Sequence, residues 1–286
     1  MIRLCEAVLP GHPDKFCDQI ADAIVIEAAR LDADSYAQVE VGVWSDQLWL
    51  SGAICTRPTF ERSLADIVTE TGRAIGYGDG NWIDPSRYQI TSTLCVLRED
   101  PRRWSEHVND QSIVIGWAGY DAKVAYLPPE QFIAQKLKDA LFDSCLSGRL
   151  AGHGPDGKLL IRLREDGGGW QVEHLLVTLQ QKRGAVFTDL VGLVIAELEA
   201  AYDRLRADDP RWRRAFSEID ICIKRRKIAK SGALETTGLR ETKTAFLALA
   251  TVRSFVWRSP RFQGFSAVPN GRGDSWDDRD WRREAR

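Results

Sequence analysis

Apolar residues recur at helical spacing at Cys17, Ile20, Ala21, Ile24, Ala28 and Leu31, which predicts an amphipathic helix with one buried face. Pro13 marks its start, because its missing N–H has no partner to lose in a first turn, and Asp14 complements the positive helix end. Upstream, residues 2–9 are short and largely apolar, a candidate strand. Residues 36–44 alternate with Val39, Val41 and Val43 on one face, and after the Ser45-Asp46 turn residues 48–54 read as the return strand of a hairpin. A second helical stripe runs through Phe60, Leu64, Ile67, Val68, Thr71 and Ile75. Residues 76–80 end it, and residues 88–97 read as a further strand.

After a linker at Asp100-Pro101-Arg102-Arg103 the order of elements recurs. Residues 112–117 form an apolar strand, and Phe132, Ile133, Leu137, Ala140, Leu141 and Cys145 mark a helix. Residues 158–163 and 170–179 form a hairpin around Gly167-Gly168-Gly169. A long helix carries Leu190, Val191, Val194, Ile195, Leu198 and Tyr202, and residues 216–223 supply a closing strand. Two copies of one split βαβ arrangement predict an α+β protein, with helices layered on one face of mixed sheets. The repeat lies in the element pattern, without residue-level identity, and on its own it fits a plain scaffold as well as an enzyme.

Composition narrows the function classes. A net charge of −2 gives no global attraction to nucleic acid or to an acidic membrane surface. No apolar run approaches the roughly 20 residues that span a bilayer. Residues Arg3 and Glu6 interrupt any signal-peptide core, so a cytoplasmic location is expected. Cys5, Cys17, Cys55, Cys95, Cys145 and Cys222 are scattered without a CxxC pair and read as reduced, mostly buried thiols. His12, His107, His153 and His174 share no metal-ligand spacing, which argues against a zinc site.

The densest chemistry lies in Gly11-His12-Pro13-Asp14-Lys15-Phe16-Cys17-Asp18-Gln19-Ile20-Ala21-Asp22-Ala23. An imidazole, an ammonium group and carboxylates sit on a helix start, where exposed amides and a positive field favour anions. This string resembles the N-terminal signature of the S-adenosylmethionine synthetase (methionine adenosyltransferase) family, Gly-His-Pro-Asp-Lys-x-Cys-Asp-Gln-Ile-x-Asp-Ala. Separated patches extend the resemblance over residues 1–223. They include Glu6, Glu40 in Val39-Glu40-Val41, Ile75-Gly76-Tyr77, Asn109-Asp110-Gln111-Ser112 with Gly116-Trp117-Ala118, and Pro155-Asp156-Gly157-Lys158. Leu127-Pro128 and Ala134-Gln135-Lys136-Leu137 are similar to a further family segment, with Gln135 in place of its histidine.

The resemblance implies three similar α+β domains, of which the third is missing or degenerate here, and a homo-oligomer built on dimers. It implies formation of S-adenosylmethionine from ATP and L-methionine or a related thioether, with Mg²⁺ and K⁺. By the same resemblance His12 contacts the oxygen leaving C5′, Lys158 binds phosphate, Glu6, Asp110 and Asp156 surround the substrates, Asp14 binds Mg²⁺ and Glu40 holds K⁺. The expected domains are 1–99, 104–223 and an aberrant tail, 224–286.

Three departures bear on activity. Ala53 stands where the family has a methionine-binding glutamate, and an alanine replaces neither its charge nor its hydrogen bond. Residues 97–108 are shorter than the family's lid and lack its glutamine. Beyond Ile223 the family's glycine-rich phosphate loops are absent, and Lys224-Arg225-Arg226-Lys227 reads as a solvated charge run. Starting each codon one base earlier over residues 230–243 permits a Gly-Gly-Pro-like loop and Thr-Thr-Gly-Asn-Lys, so a frameshifted third domain is one expectation. The competing functions are an adenosyltransferase, a catalytically impaired homologue that binds nucleotide or pairs with an intact synthetase, and a damaged gene product.

Overall fold

The computed structural model describes residues 1–78, 80–105, 119–226 and 248–252. The chain runs from β1 (Ile2–Val8) into α1 (Pro13–Leu31), then through the hairpin β2 (Tyr36–Trp44) and β3 (Gln47–Cys55) to α2 (Leu64–Ile75). Two short strands follow, β4 (Gln89–Ser92) and β5 (Cys95–Leu97), both parallel to β3, where the alternation predicts one continuous strand. The predicted linker closes as a single helical turn, α3 (Arg102–Ser105), started by the Asp100 carboxylate accepting from the Arg102 amide at 3.2 Å. Then come α4 (Pro129–Leu146), the long hairpin β6 (His153–Asp166) and β7 (Gly169–Gln181), α5 (Phe187–Asp208) and β8 (Asp220–Arg226). The strand predicted for 112–117 lies outside the described residues.

Two mixed sheets result. One has the order β1-β6-β7-β8, with β1 and β7 antiparallel to β6 and β8 parallel to β7 across the α5 crossover. Its inward residues Leu159, Ile161, Leu163, Leu175 and Val177 pack under Ile133, Leu137 and Leu141 of α4 and Val194 and Leu198 of α5. The second has the order β4-β3-β2-β9, with β5 beside β3. Val39, Val41, Val43, Leu48 and Leu50 form its core with Ile20 and Ile24 of α1 and Ile67 and Val68 of α2. Phe60, predicted on the α2 stripe, precedes that helix and packs against the same core; Ser63 is the N-cap, and Gly76 ends the helix in the left-handed region at φ 106°.

Two pairings depart from what element order suggests. β1, at the head of the first repeat, leaves that repeat and joins the other sheet along β6, with Ala7 opposite Leu159 and Val8 opposite Lys158. The tail supplies β9 (Ala248–Val252), antiparallel to β2 with Thr251 opposite Glu40. The run read as solvated charge is in part the end of β8, where Lys224 and Arg226 pair with Thr178 and Gln180 of β7. Gly52 sits at φ 117°, with Gln38 O only 2.0 Å from where a Cβ would be, so no other residue fits that crossing.

The cysteines are all unpaired; Cys17 and Cys55 are buried, Cys5, Cys145 and Cys222 half-buried, and Cys95 exposed, fewer buried than expected. Among the described residues no helix is long and apolar enough to cross a membrane.

A buried carboxylate fixes the exit of α1. Asp32 accepts from the Arg57 amide at 3.0 Å, from Arg57 Nε at 2.8 Å and from the Asp34 amide at 3.0 Å. The Arg57 side-chain bonds come first among the causes that hold Asp32 well below the usual carboxylate range. The stabilisation is therefore present above the unfolded-state value of about 3.9 and is lost as pH falls through the native value. In urea unfolding against pH, Asp32→Asn is expected to be less stable than wild type at pH 7. The gap should narrow in acid below about pH 4; a pH-independent gap would refute the linkage.

Candidate functional site

The β1–β6 pairing puts the start of α1 beside the first residues of β6, about a hundred and forty positions away in sequence. Two backbone bonds fasten the two segments, and a tyrosine after α2 braces the turn from the other side. The Leu9 amide donates to Gly157 O at 2.9 Å, the Gly11 amide to Pro155 O at 3.0 Å, and the Tyr77 hydroxyl to Gly11 O. Gly11 has no spare room: a Cβ there would lie 2.6 Å from Pro155 C and 2.9 Å from Asp156 N. The Pro155-Asp156-Gly157-Lys158 string and the His12 string are therefore two halves of one surface.

His12 is the N-cap of α1, in extended conformation, and its Nδ1 accepts from the Asp14 amide at 3.3 Å. With Nδ1 accepting, the imidazole proton sits on Nε2, so the ring presents a donor at its other edge. Asp14 is exposed, with Oδ2 3.6 Å from His12 Nδ1. Lys15 is held by Asp18 at 2.8 Å, one turn into the helix. Gln19 Nε2 reaches back to Pro10 O at 2.8 Å and pins the turn to its own helix. Cys17, inside the motif, is buried, and burial first, then Asp14 and Asp18, push its thiol up to about 12. It is a packing residue and no nucleophile.

On the outward face of β1 and β6, Lys158 Nζ lies 2.7 Å from Glu6 Oε2, with both side chains 43% exposed. Their positions are diagonal in the register, Glu6 opposite Leu160 and Lys158 opposite Val8. Asp156 is buried, and its carboxylate lies close enough to Tyr88 to add to the burial that raises the tyrosine's pKa. Glu6, His12, Asp14, Asp156 and Lys158 thus gather around one junction. Glu40 does not join them: on β2, the neighbouring sheet, it alternates with the core-facing Val39 and Val41 and sits opposite Ser51 and Thr251. Asp110 lies outside the described residues. Ala53 on β3 sits opposite Gln38 and Cys95, so no carboxylate occupies that register position.

Sequence reading missed the parts that build the junction rather than line it. Gly11, Pro155 and Gly157 act through their backbones, and the only signal for them was their presence inside matched strings. Among the described residues no three His, Cys, Asp or Glu side chains gather as a metal cage. One exposed carboxylate, Asp14, at a phosphate-favouring helix start fits a divalent ion that arrives with its phosphates, since Mg²⁺ is commonly held by one or two carboxylates plus substrate oxygens.

Comparison with known proteins finds similarity over the first part of the chain. Residues 1–96 match the S-adenosylmethionine synthetase N-terminal domain. The chain is 28% identical over 200 residues to the S-adenosylmethionine synthase of Oleidesulfovibrio alaskensis, covering 66% of this chain and 50% of that protein. It is 26% identical over 203 residues to that of Aquifex aeolicus, covering 69% of this chain and 53% of that protein. The S-adenosylmethionine synthase of Solidesulfovibrio magneticus is 28% identical over 206 residues, covering 68% of this chain and 51% of that protein. The chain spans about half the length of the curated relatives it matches, and its resemblance to the synthetase family is confined to that part.

Proposed function

We propose that this chain carries the N-terminal and central part of an adenosyltransferase site, forming S-adenosylmethionine from ATP and L-methionine. The observation that supports the reading is the docking of the His12 turn on Pro155–Gly157, beside the Glu6–Lys158 pair. In the reaction the thioether sulfur donates its lone pair to C5′ as the C5′–O bond breaks. The bonding electrons leave with the triphosphate, a sulfonium forms, and hydrolysis then gives phosphate and pyrophosphate.

The difficulty is negative charge growing on the leaving oxygen, which calls for donors and cations fixed in advance. His12 Nε2–H is the donor we assign to that oxygen, and Lys158, released from Glu6, the point charge on the phosphates. Asp14 would hold Mg²⁺, which when bound neutralises phosphate charge. Asp156, and Asp110 beyond the described residues, orient the substrates, and Glu40 would hold K⁺. We assign domains 1–99 and 104–223 to the synthetase-like repeats and 224–286 to a degenerate third, in a cytoplasmic protein. Ile2 and Leu4, exposed on the outer face of β1, support a dimer-based homo-oligomer.

Incubation of the full chain with ATP, methionine, Mg²⁺ and K⁺ is expected to yield S-adenosylmethionine and pyrophosphate, and His12→Ala to abolish both. No product from a folded wild-type chain would favour the second reading, an impaired homologue that binds nucleotide or pairs with an intact synthetase. The specific observation for that reading is Ala53, which leaves the methionine amino group without its carboxylate.

A further inference from the structure

A second polar surface includes Tyr77, the residue whose hydroxyl donates to Gly11 O. A cleft of about 270 Å³ opens between the end of α2, the 3₁₀ turn Pro85–Arg87 and the chain leaving β7. Its size falls just below the range of about 300–1,000 Å³ usual for drug-sized ligands, which suits a small anion. Three guanidinium groups line it: Arg73 from the last turn of α2, Arg87 from the 3₁₀ turn, and Arg183 after β7. Among the described residues none of the three has an ion-pair partner within 4.0 Å, whereas Arg3, Arg57, Arg62 and Arg211 are each paired with a carboxylate.

The three are held in place by the fold. The 3₁₀ turn is pressed onto α2 at Gly72, where Pro85 Cγ lies 2.2 Å from the position of an absent Cβ. The Arg183 amide donates to Gly80 O at 2.7 Å, and its guanidinium stacks over Trp82 at 5.3 Å from the ring centroid. Asp84 is the one acid among the described lining residues; its carboxylate accepts from the Ser86 amide at 3.1 Å and hydroxyl at 2.6 Å. After these bonds the charges of Arg87 and Arg73 also lower its pKa, so it offsets part of their charge without an ion pair.

The floor adds an independent observation. Asn81 is only 5% exposed and lines the cleft, and its Oδ1 has no hydrogen-bond partner among the described residues. Beside it, Gln180 is fully buried, and among the described residues neither side-chain polar atom has a partner. The absent Cβ of Gly154 would lie 2.5 Å from Asn81 Oδ1 and 2.4 Å from Gln180 Oε1. Asn81 Nδ2 donates to Gly76 O at 3.4 Å and to Gly78 O at 3.3 Å, which fixes the amide's orientation and ties the floor of the cleft to the end of α2.

We infer that the cleft formed by Arg73, Arg87 and Arg183 over Asn81 is a binding site for a small phosphate oxyanion, distinct from the His12 junction. Guanidinium forks match phosphate oxygens in pairs, and three of them converge on this cleft. The free inorganic anion and the terminal phosphates of a nucleotide share this chemistry.

Calorimetric titration of the full chain at constant ionic strength tests it, with pyrophosphate in one arm and ADP in the other. Lys158→Met provides the background in which the His12 junction is disabled. Lys158→Met is expected to bind pyrophosphate at one site and wild type at that site besides the His12 junction, and Arg73→Gln/Arg87→Gln in the Lys158→Met background to lose at least about tenfold in affinity. Arg183→Gln, at an exposed position outside the helices, is expected to do the same and guards against a folding artefact in the double variant. Tighter binding of ADP than of pyrophosphate would assign the site to nucleotides, the reverse to the free anion. Absence of binding, loss of binding in Lys158→Met alone, or affinity unchanged within twofold in the arginine variants would overturn the inference.

Discussion

Gly11→Ala is expected to destabilise the protein by about 2–3 kcal/mol, the upper part of the range for overpacking a filled site. The added methyl would meet Pro155 C at 2.6 Å, Pro155 O at 2.7 Å and Asp156 N at 2.9 Å. All three are backbone atoms, so no rotamer change relieves the clash. Either the turn lifts off β6 or the start of β6 moves. Both break the Gly11–Pro155 bond and disturb the Tyr77–Gly11 bond. The same step separates His12 from Lys158, so the variant should also lose product formation at temperatures where it is still folded. Urea midpoints together with the S-adenosylmethionine assay check it. Wild-type stability would show that the two segments are not in contact in solution.

This prediction could not have come from the sequence. The string around His12 was legible because its signals are local: Pro13 and Asp14 set the helix start, and Cys17, Ile20, Ala21 and Ile24 repeat at helical spacing. The hairpin of β2 and β3 and the long β6–β7 ribbon were legible for the same reason, through alternation and turns. The transfer of β1 to β6 is a different kind of fact. Cys5 and Ala7 offer so little apolar area that either sheet could have taken the strand, and the choice depends on α4 and β6, more than a hundred residues later.

The candidate site follows the same division. His12, Asp14 and Lys158 were named from matched strings, while the contacts that join them are made by Gly11, Pro155 and Gly157, whose side chains do no chemistry. The split into β4 and β5 was hidden because residues 88–97 keep strand-like composition through Thr93, whose amide turns to Leu50 O at 2.8 Å. The arginine cleft was invisible for a further reason: Arg73, Arg87 and Arg183 are single charges on three elements, each of which reads alone as a solvated residue.

Lys158→Met should separate function from stability. The Glu6–Lys158 pair is 43% exposed on both sides, and a surface pair of this kind contributes about 0–1 kcal/mol. Methionine keeps the apolar stem length of the lysine and leaves Glu6 free to hydrate, so the urea midpoint should scarcely move. Among the described residues Lys15, the other lysine of the junction, is committed to Asp18 at 2.8 Å and does not replace the cation. Removing one preorganised charge from a site where negative charge develops lowers turnover by about 10²-fold. S-adenosylmethionine formation should therefore fall by about that factor while stability holds, and hydrolysis of added tripolyphosphate should fall with it. Glu6→Gln makes the contrast: it removes the partner and leaves the cation, so phosphate binding should persist. Equal losses in both variants would mean that the ion pair orders the junction and that Lys158 does not itself engage phosphate.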